Sequence, residues 1–303
     1  MNFPKSVNVR EVGPRDGLQN EKIVIETADK IAWINQLSDT GLSYIEITSF
    51  VHPKWIPQLK DAVEVATGIE RKTGVTYAAL IPNVKGLERA CAAKIDEASI
   101  FMSASETHNQ KNINKSIVET FPILKEVVEG AKQEKMTTRG YISTVFGCPY
   151  EGQVDIEEVI RVAERLFEMG IDELSLGDTI GVANPLQVQL VLDRLLHYFP
   201  KEKLAMHFHD TRGTALANVV AALEMGVTTF DGAVGGLGGC PYAPGASGNA
   251  ATEDLIYMLN GMGIETGVLL RKLLKASKMI ATKLEKSLPS HNLQAFLSSC
   301  EHV

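Results

Sequence analysis

The chain has 303 residues, of which 45% are hydrophobic, and its 30 Lys plus Arg against 37 Asp plus Glu leave a net charge of −7. A chain of this length buries a large core without disulfide or metal staples, and its mild acidity argues against nucleic acid as the main partner, because phosphate binding relies on clustered basic charge. Mean hydropathy is zero, and no apolar run reaches about 18 residues, which excludes a transmembrane helix.

Taken in order, short apolar runs rich in β-branched residues alternate with longer helical patterns. Strands are predicted at about 7–13, 44–50, 76–82, 97–104, 139–146, 173–178, 204–209 and 228–234. Helices are predicted at about 27–38, 57–66, 84–93, 114–135, 155–169, 186–198, 214–225 and 252–262. Asp155 with Glu158 reads as a capping box, and Gly41, Gly170 and Gly226 stand where helices should stop. Eight strand-then-helix units are the count that closes a (βα)8 TIM barrel, and the G-x-G-x-x-G turn common in open doubly wound sheets is missing. Residues 265–285 read as an extra amphipathic C-terminal helix. The expected organisation is one catalytic domain over 1–303, with the barrel at about 7–262 and a helical extension at about 265–303.

Cys91, Cys148, Cys240 and Cys300 are widely spread and form no C-x-x-C pair, which points to a reducing compartment rather than to a disulfide framework or structural zinc. With no secretory or transit pattern at residues 1–6, the expected location is cytoplasmic.

In a barrel of this kind the active site lies at the carboxyl ends of the strands, so polar groups there matter most. The first strand runs into Glu11-Val12-Gly13-Pro14-Arg15-Asp16-Gly17-Leu18-Gln19. Adjacent side chains of a regular strand point to opposite faces, so Arg15 and Asp16 converge on the mouth only if Pro14 and Gly17 bracket a turn; the alternative is an ordinary solvated turn. His207 and His209, two residues apart on the seventh strand, put both imidazoles on one face, as two ligands of one metal require. Asp210 either supports a ligand or caps the next helix. The glycine-rich stretch Gly235–Asn249 suits close backbone approach and a mobile lid, carrying Cys240 as an acid–base candidate. Asn249 either offers its carbonyl oxygen to a metal or caps the helix that starts near 250. Glu46 interrupts an apolar strand and needs a cationic partner, for which Arg15 is the candidate; Asp178 ends the sixth strand, and Glu11 and Gln19 fit supporting roles. A mixed oxygen and nitrogen ligand set with open positions suits Mg²⁺ or Mn²⁺ acting as a Lewis acid.

The segments Glu11–Glu21 (EVGPRDGLQNE) and Ile45–Phe50 with Pro53-Lys54, the His207/His209 pair and Gly235–Asn249 (GGLGGCPYAPGASGN) together resemble the 3-hydroxy-3-methylglutaryl-CoA lyases. These are a branch of the metal-dependent TIM-barrel lyases and Claisen-type synthases, and the likeness runs over essentially the whole chain. The resemblance implies retro-Claisen cleavage of 3-hydroxy-3-methylglutaryl-CoA to acetyl-CoA and acetoacetate, with Asp16, His207, His209 and Asn249 as ligands of Mg²⁺ or Mn²⁺. It further implies Arg15 on the substrate carbonyl, Cys240 as the catalytic loop residue, and Glu46 and Asp178, with Gln19, around the substrate. His207 or Asp16 would take the hydroxyl proton. An acyl-CoA partner and a homodimer, with no membrane or nucleic acid, complete the expectation. A related acyl-CoA lyase, aldolase or synthase, or an inactive metal-binding protein, are the alternatives. Cys300 does not sit in the C-terminal cysteine motif of the animal lyases.

Overall fold

The computed structural model describes residues 3–238 and 248–300. Its eight strands are β1 (Asn8–Glu11), β2 (Tyr44–Ser49), β3 (Thr76–Leu80), β4 (Glu97–Ser103), β5 (Thr137–Ser143), β6 (Glu173–Asp178), β7 (Leu204–Phe208) and β8 (Thr229–Gly232). All neighbours pair in parallel, and β1 closes onto β8 with Asn8 opposite Thr229 and Glu11 opposite Gly232. This is the TIM barrel expected from eight strand–helix units. Around it run α1 (Thr27–Ser38), α2 (Ala62–Gly68), α3 (Val84–Ala92), α4 (Glu106–Ile113), α5 (Ile117–Gln133), α6 (Ile156–Met169), α7 (Pro185–Leu195), α8 (Ala215–Glu224) and α9 (Thr252–Gly261), followed by α10 (Leu270–Lys283) and α11 (His291–Cys300).

The helices form because their apolar residues recur with the helical period and bury one stripe against the sheet. In α6, Val159, Val162, Ala163 and Leu166 face inward, the Asp155 side chain caps the first turn, and Gly170 ends the helix in the left-handed region at φ 92°. The Asp155–Glu158 box does not form, since Asp155 accepts from the Glu157 amide; Ser116 and Glu119 make a full box at the start of α5. The predicted helix at 57–66 resolves into a short 3₁₀ turn, Pro57–Leu59, before α2. The one at 114–135 begins at Ile117 and is preceded by α4.

The C-terminal extension is a helix pair. Glu265 is drawn into backbone pairing with Lys5 and Val7, so α10 starts only at Leu270. Asp254 of α9 then anchors α11 by accepting from Ser290 Oγ and from the amides of His291 and Asn292.

Between sheet and helices the core is apolar, with Trp33, Ile34, Leu37, Val127, Leu166 and Leu192 fully buried. Inside the barrel it is ionic. Arg139 is fully enclosed and reaches Glu173 at 2.7 Å and Asp231 at 2.6 Å, while Arg10 reaches Glu173 at 3.0 Å. A charge enclosed like this persists only when paired and hydrogen-bonded, and this ladder leads up to the mouth.

Candidate active site

β1 runs into one wide helical turn, Gly13–Gly17, in which the Val12 carbonyl accepts from the amides of Arg15 (3.2 Å), Asp16 (2.7 Å) and Gly17 (3.3 Å). The turn removes the strand's alternation, so Arg15 and Asp16 point to the same place. Arg15 donates from Nε to Glu46 Oε2 and from Nη1 to Asp16 Oδ1, both at 2.6 Å. Its Nη2 makes no hydrogen bond among the described residues. The Glu46 side chain is fully buried and has the cationic partner expected for it.

Asp16 is fixed by three donors: Arg15 at Oδ1, Gln19 Nε2 at Oδ1 (2.8 Å) and Asn249 Nδ2 at Oδ2 (2.8 Å). Burial alone would raise its pKa, but the charges of Arg15 and the two histidines, with the Asn249 hydrogen bond, hold it below the ordinary aspartate range. Asn249 does not cap α9. Its Nδ2 is spent on Asp16 and on the Leu237 carbonyl (2.9 Å), and the chain passes close enough only because Gly238 sits at φ 96°, where a Cβ would lie 2.6 Å from Asn249 Nδ2.

β7 delivers His207, and His209 follows directly after it; their ring centroids are 5.3 Å apart. One oxygen of Asp16 and one nitrogen of each histidine all lie within 4.8 Å of one another, so the three side chains form a group that can hold a metal ion. The donor chemistry fits a hard divalent cation. His207 Nε2 stands 4.0 Å from Asp16 Oδ2, too far for a hydrogen bond, and Asn249 Oδ1 and His209 Nδ1 are buried with no partner among the described residues. Burial, aided by the neighbouring His207, pushes His209 down to about pKa 4, which keeps its imidazole neutral and able to ligate. For His207 burial acts the same way but is outweighed by Asp231, which accepts from Nδ1 at 3.0 Å, so its pKa is raised.

Asp178 ends β6 as expected, but it is not one of the three grouped donors. Its carboxylate pins the following loop by accepting from the amides of Val182 (2.9 Å) and Ala183 (3.1 Å), and burial lifts it to about pKa 6 against those bonds and the charges of His207 and Arg212. Asp210 accepts from the Ala215 amide at the start of α8, the capping alternative. Glu11 supports the site from below: Oε1 accepts from Gly13 and Val234, and Oε2 from Thr252, with burial raising its pKa to about 8. Cys240 lies with residues 239–247 outside the described residues, whereas the ends of the proposed lid, 235–238 and 248–249, are described and buried.

Arg139, Tyr141, Ser175 and Asp231 also belong to this assembly and are absent from the sequence-based set. Tyr141 OH accepts from Arg139 Nη1 (2.6 Å) and lies 3.4 Å from Glu46 Oε2, which links the Arg15 and His207 halves beneath the mouth. The available signal was an Arg and an Asp inside two short predicted strands, where a buried charge needs a partner.

Comparison with known proteins adds the lineage. The family model described as HMGL-like matches residues 6–280. The chain is 67% identical to the hydroxymethylglutaryl-CoA lyase YngG of Bacillus subtilis, covering 99% of this chain and all of that one. The crystal structure of the B. subtilis HMG-CoA lyase superposes with a TM-score of 0.97 over 98% of this chain and 99% of that one, at 67% identity. An HMG-CoA lyase of Acinetobacter baumannii, solved in complex with coenzyme A and 3-methylmalate, gives 0.92 at 45% identity, covering 97% and 96% of the two chains. With its barrel, its clustered Asp16, His207 and His209 and these relatives agreeing, the chain belongs to the HMGL-like family of hydroxymethylglutaryl-CoA lyases.

Proposed function

We propose that the chain cleaves 3-hydroxy-3-methylglutaryl-CoA to acetyl-CoA and acetoacetate by a retro-Claisen reaction that depends on a divalent cation. The observation that carries this reading is the convergence of Asp16, His207 and His209, with Arg15 held beside them. Asp16, His207, His209 and Asn249 would hold Mg²⁺ or Mn²⁺, which when bound polarises the substrate's tertiary hydroxyl.

The chain's own groups supply the rest. Arg15 is anchored through Nε and Nη1, which leaves Nη2 for the thioester oxygen, where negative charge collects as the C2–C3 bond breaks. Because Glu46 and Asp16 fix the guanidinium before substrate arrives, little reorganisation is needed when that charge appears. Asp16 receives the hydroxyl proton, because a His207 that ligates through Nε2 and carries its hydrogen on Nδ1 has no lone pair left for it, and Cys240 delivers a proton to the acetyl-CoA carbon. Gln19 steadies Asp16, and Glu46 and Asp178 hold Arg15 and the rim of the substrate pocket.

The acyl-CoA substrate class is supported by the coenzyme A bound in the A. baumannii relative. No described helix is long and apolar enough to cross a membrane. The free thiols of Cys91 and Cys148 suit the reducing, cytoplasmic setting that belongs to this reading, and light scattering at twice the chain mass would support its homodimer. The test of function is acetoacetate formation from 3-hydroxy-3-methylglutaryl-CoA. The reading fails if the metal-loaded protein leaves this thioester intact while cleaving another acyl-CoA.

A further inference from the structure

We propose that Asp231 is a positioning residue for the cation site: it holds the Nδ1–H of His207 toward the barrel interior and so turns Nε2 to the mouth as a ligand. The inference rests on the reading of Asp16, His207 and His209 as a cation site.

Asp231 stands on β8 directly across from His207 on β7 in the parallel register. Its side chain is fully buried, and its Oδ2 accepts from His207 Nδ1 (3.0 Å), Ser175 Oγ (2.9 Å) and Arg139 Nη1 (3.2 Å). Oδ1 accepts from Arg139 Nη2 at 2.6 Å. A guanidinium can only donate, so a carboxylate gripped by Arg139 stays an acceptor, and the histidine nitrogen facing it must carry the hydrogen. The lone pair available for ligation is therefore on Nε2, the atom that lies 4.0 Å from Asp16 Oδ2.

Asp231 cannot swing away, because Arg139 is itself fixed by Glu173 Oε1 (2.7 Å) and Tyr141 OH (2.6 Å). The two imidazoles are thus unequal. His207 is locked in ring orientation and tautomer, whereas His209 Nδ1 has no partner among the described residues. A carboxylate behind a ligating histidine raises ligand affinity by fixing the ring, typically 10- to 100-fold. The rival account is that Asp231 only neutralises Arg139 and meets His207 incidentally.

Mn²⁺ titration of the full-length protein by electron paramagnetic resonance separates the two accounts, with thermal unfolding of the metal-free protein alongside. D231N presents an amide that can donate to Nδ1 and move the imidazole hydrogen to Nε2, so Mn²⁺ binding should weaken about 10- to 100-fold. The double variant D231N/R139M leaves no orphan charge behind His207, so on the rival account its Mn²⁺ affinity should return, whereas on this proposal it stays weakened about 10- to 100-fold even where the unfolding temperature recovers. Recovery of Mn²⁺ affinity in the double variant to within about threefold of the unaltered protein would overturn the proposal. Should D231N fail to fold, long-range ¹H–¹⁵N spectra of the unaltered, Mg²⁺-saturated protein decide it: His207 Nδ1 should carry a hydrogen, and a bare Nδ1 would refute the assignment. Failure of the unaltered protein to bind Mn²⁺ at all, or hydrogens on both His207 nitrogens at saturating Mg²⁺, would instead sink the cation-site reading on which the proposal rests.

Discussion

Arg15→Met strips the Glu46 carboxylate, whose side chain is fully enclosed, of the guanidinium 2.6 Å away, and removes one of the three donors to Asp16. Leaving a buried charge uncompensated costs about 3–5 kcal/mol, which in a chain of this size lowers the unfolding temperature by roughly 5–8 °C. Turnover should drop by a separate amount, about 10²–10³-fold, because the stabilisation lost acts on charge that develops only in the transition state. The double variant Arg15→Met/Glu46→Gln keeps the two effects apart. With Glu46 neutral no orphan charge is left, so most of the stability should return while turnover stays low. The assay is kcat and KM for acetoacetate release beside thermal unfolding of each protein. Recovery of turnover together with stability in the double variant would reduce Arg15 to a counter-ion for Glu46. A change confined to KM would place its interaction in the ground state instead.

Four more outcomes are expected. A chelator should abolish acetoacetate formation, and added Mg²⁺ or Mn²⁺ should restore it; full activity after exhaustive chelation contradicts the cation reading. Cys240→Ser should cut turnover while leaving the bound-metal stoichiometry unchanged, and loss of metal would move Cys240 into the ligand set. Glu11, at about pKa 8 in the fold against an ordinary 4.5, keeps a proton that the unfolded chain releases, so stability falls as pH rises from 4.5 to 8; Glu11→Gln should remove up to about 5 kcal/mol of that slope in denaturant titrations, and an unchanged slope would refute it. Ser116→Ala, which deletes a full capping box, should cost about 1 kcal/mol at every pH where Glu119 is ionised, measured by urea unfolding.

The barrel was legible from the alternation of short strand-like segments with helical patterns: β6 falls at 173–178 as predicted, and α1 at 27–38. What escaped was decided by contacts distant in sequence or by polar local chemistry. The α4 segment ETHNQKNI has no apolar stripe, and it is held by a Ser105 cap and by Asn109, whose buried side chain bonds Ser103 and Thr120. Glu265 looked helical by periodicity but is recruited by the amino-terminal segment. At the site, the Arg15–Glu46 partnership was inferable because a carboxylate inside a barrel demands a cation. The choice between cap and site for Asn249 was not, since its partner Asp16 lies 233 positions away. Asp231 and Arg139 were equally visible as charges within predicted strands, but which charge faces which depends on barrel closure, and only the register of β7 and β8 sets Asp231 behind His207.

The account stands on Asp16, His207 and His209 enclosing one divalent cation with Asn249. Anomalous diffraction from crystals grown with Mn²⁺ tests this directly. A single strong peak within about 2.0–2.4 Å of an Asp16 oxygen, one nitrogen of each histidine and Asn249 Oδ1 is the expected result. A peak elsewhere, or none at saturating Mn²⁺, would contradict it.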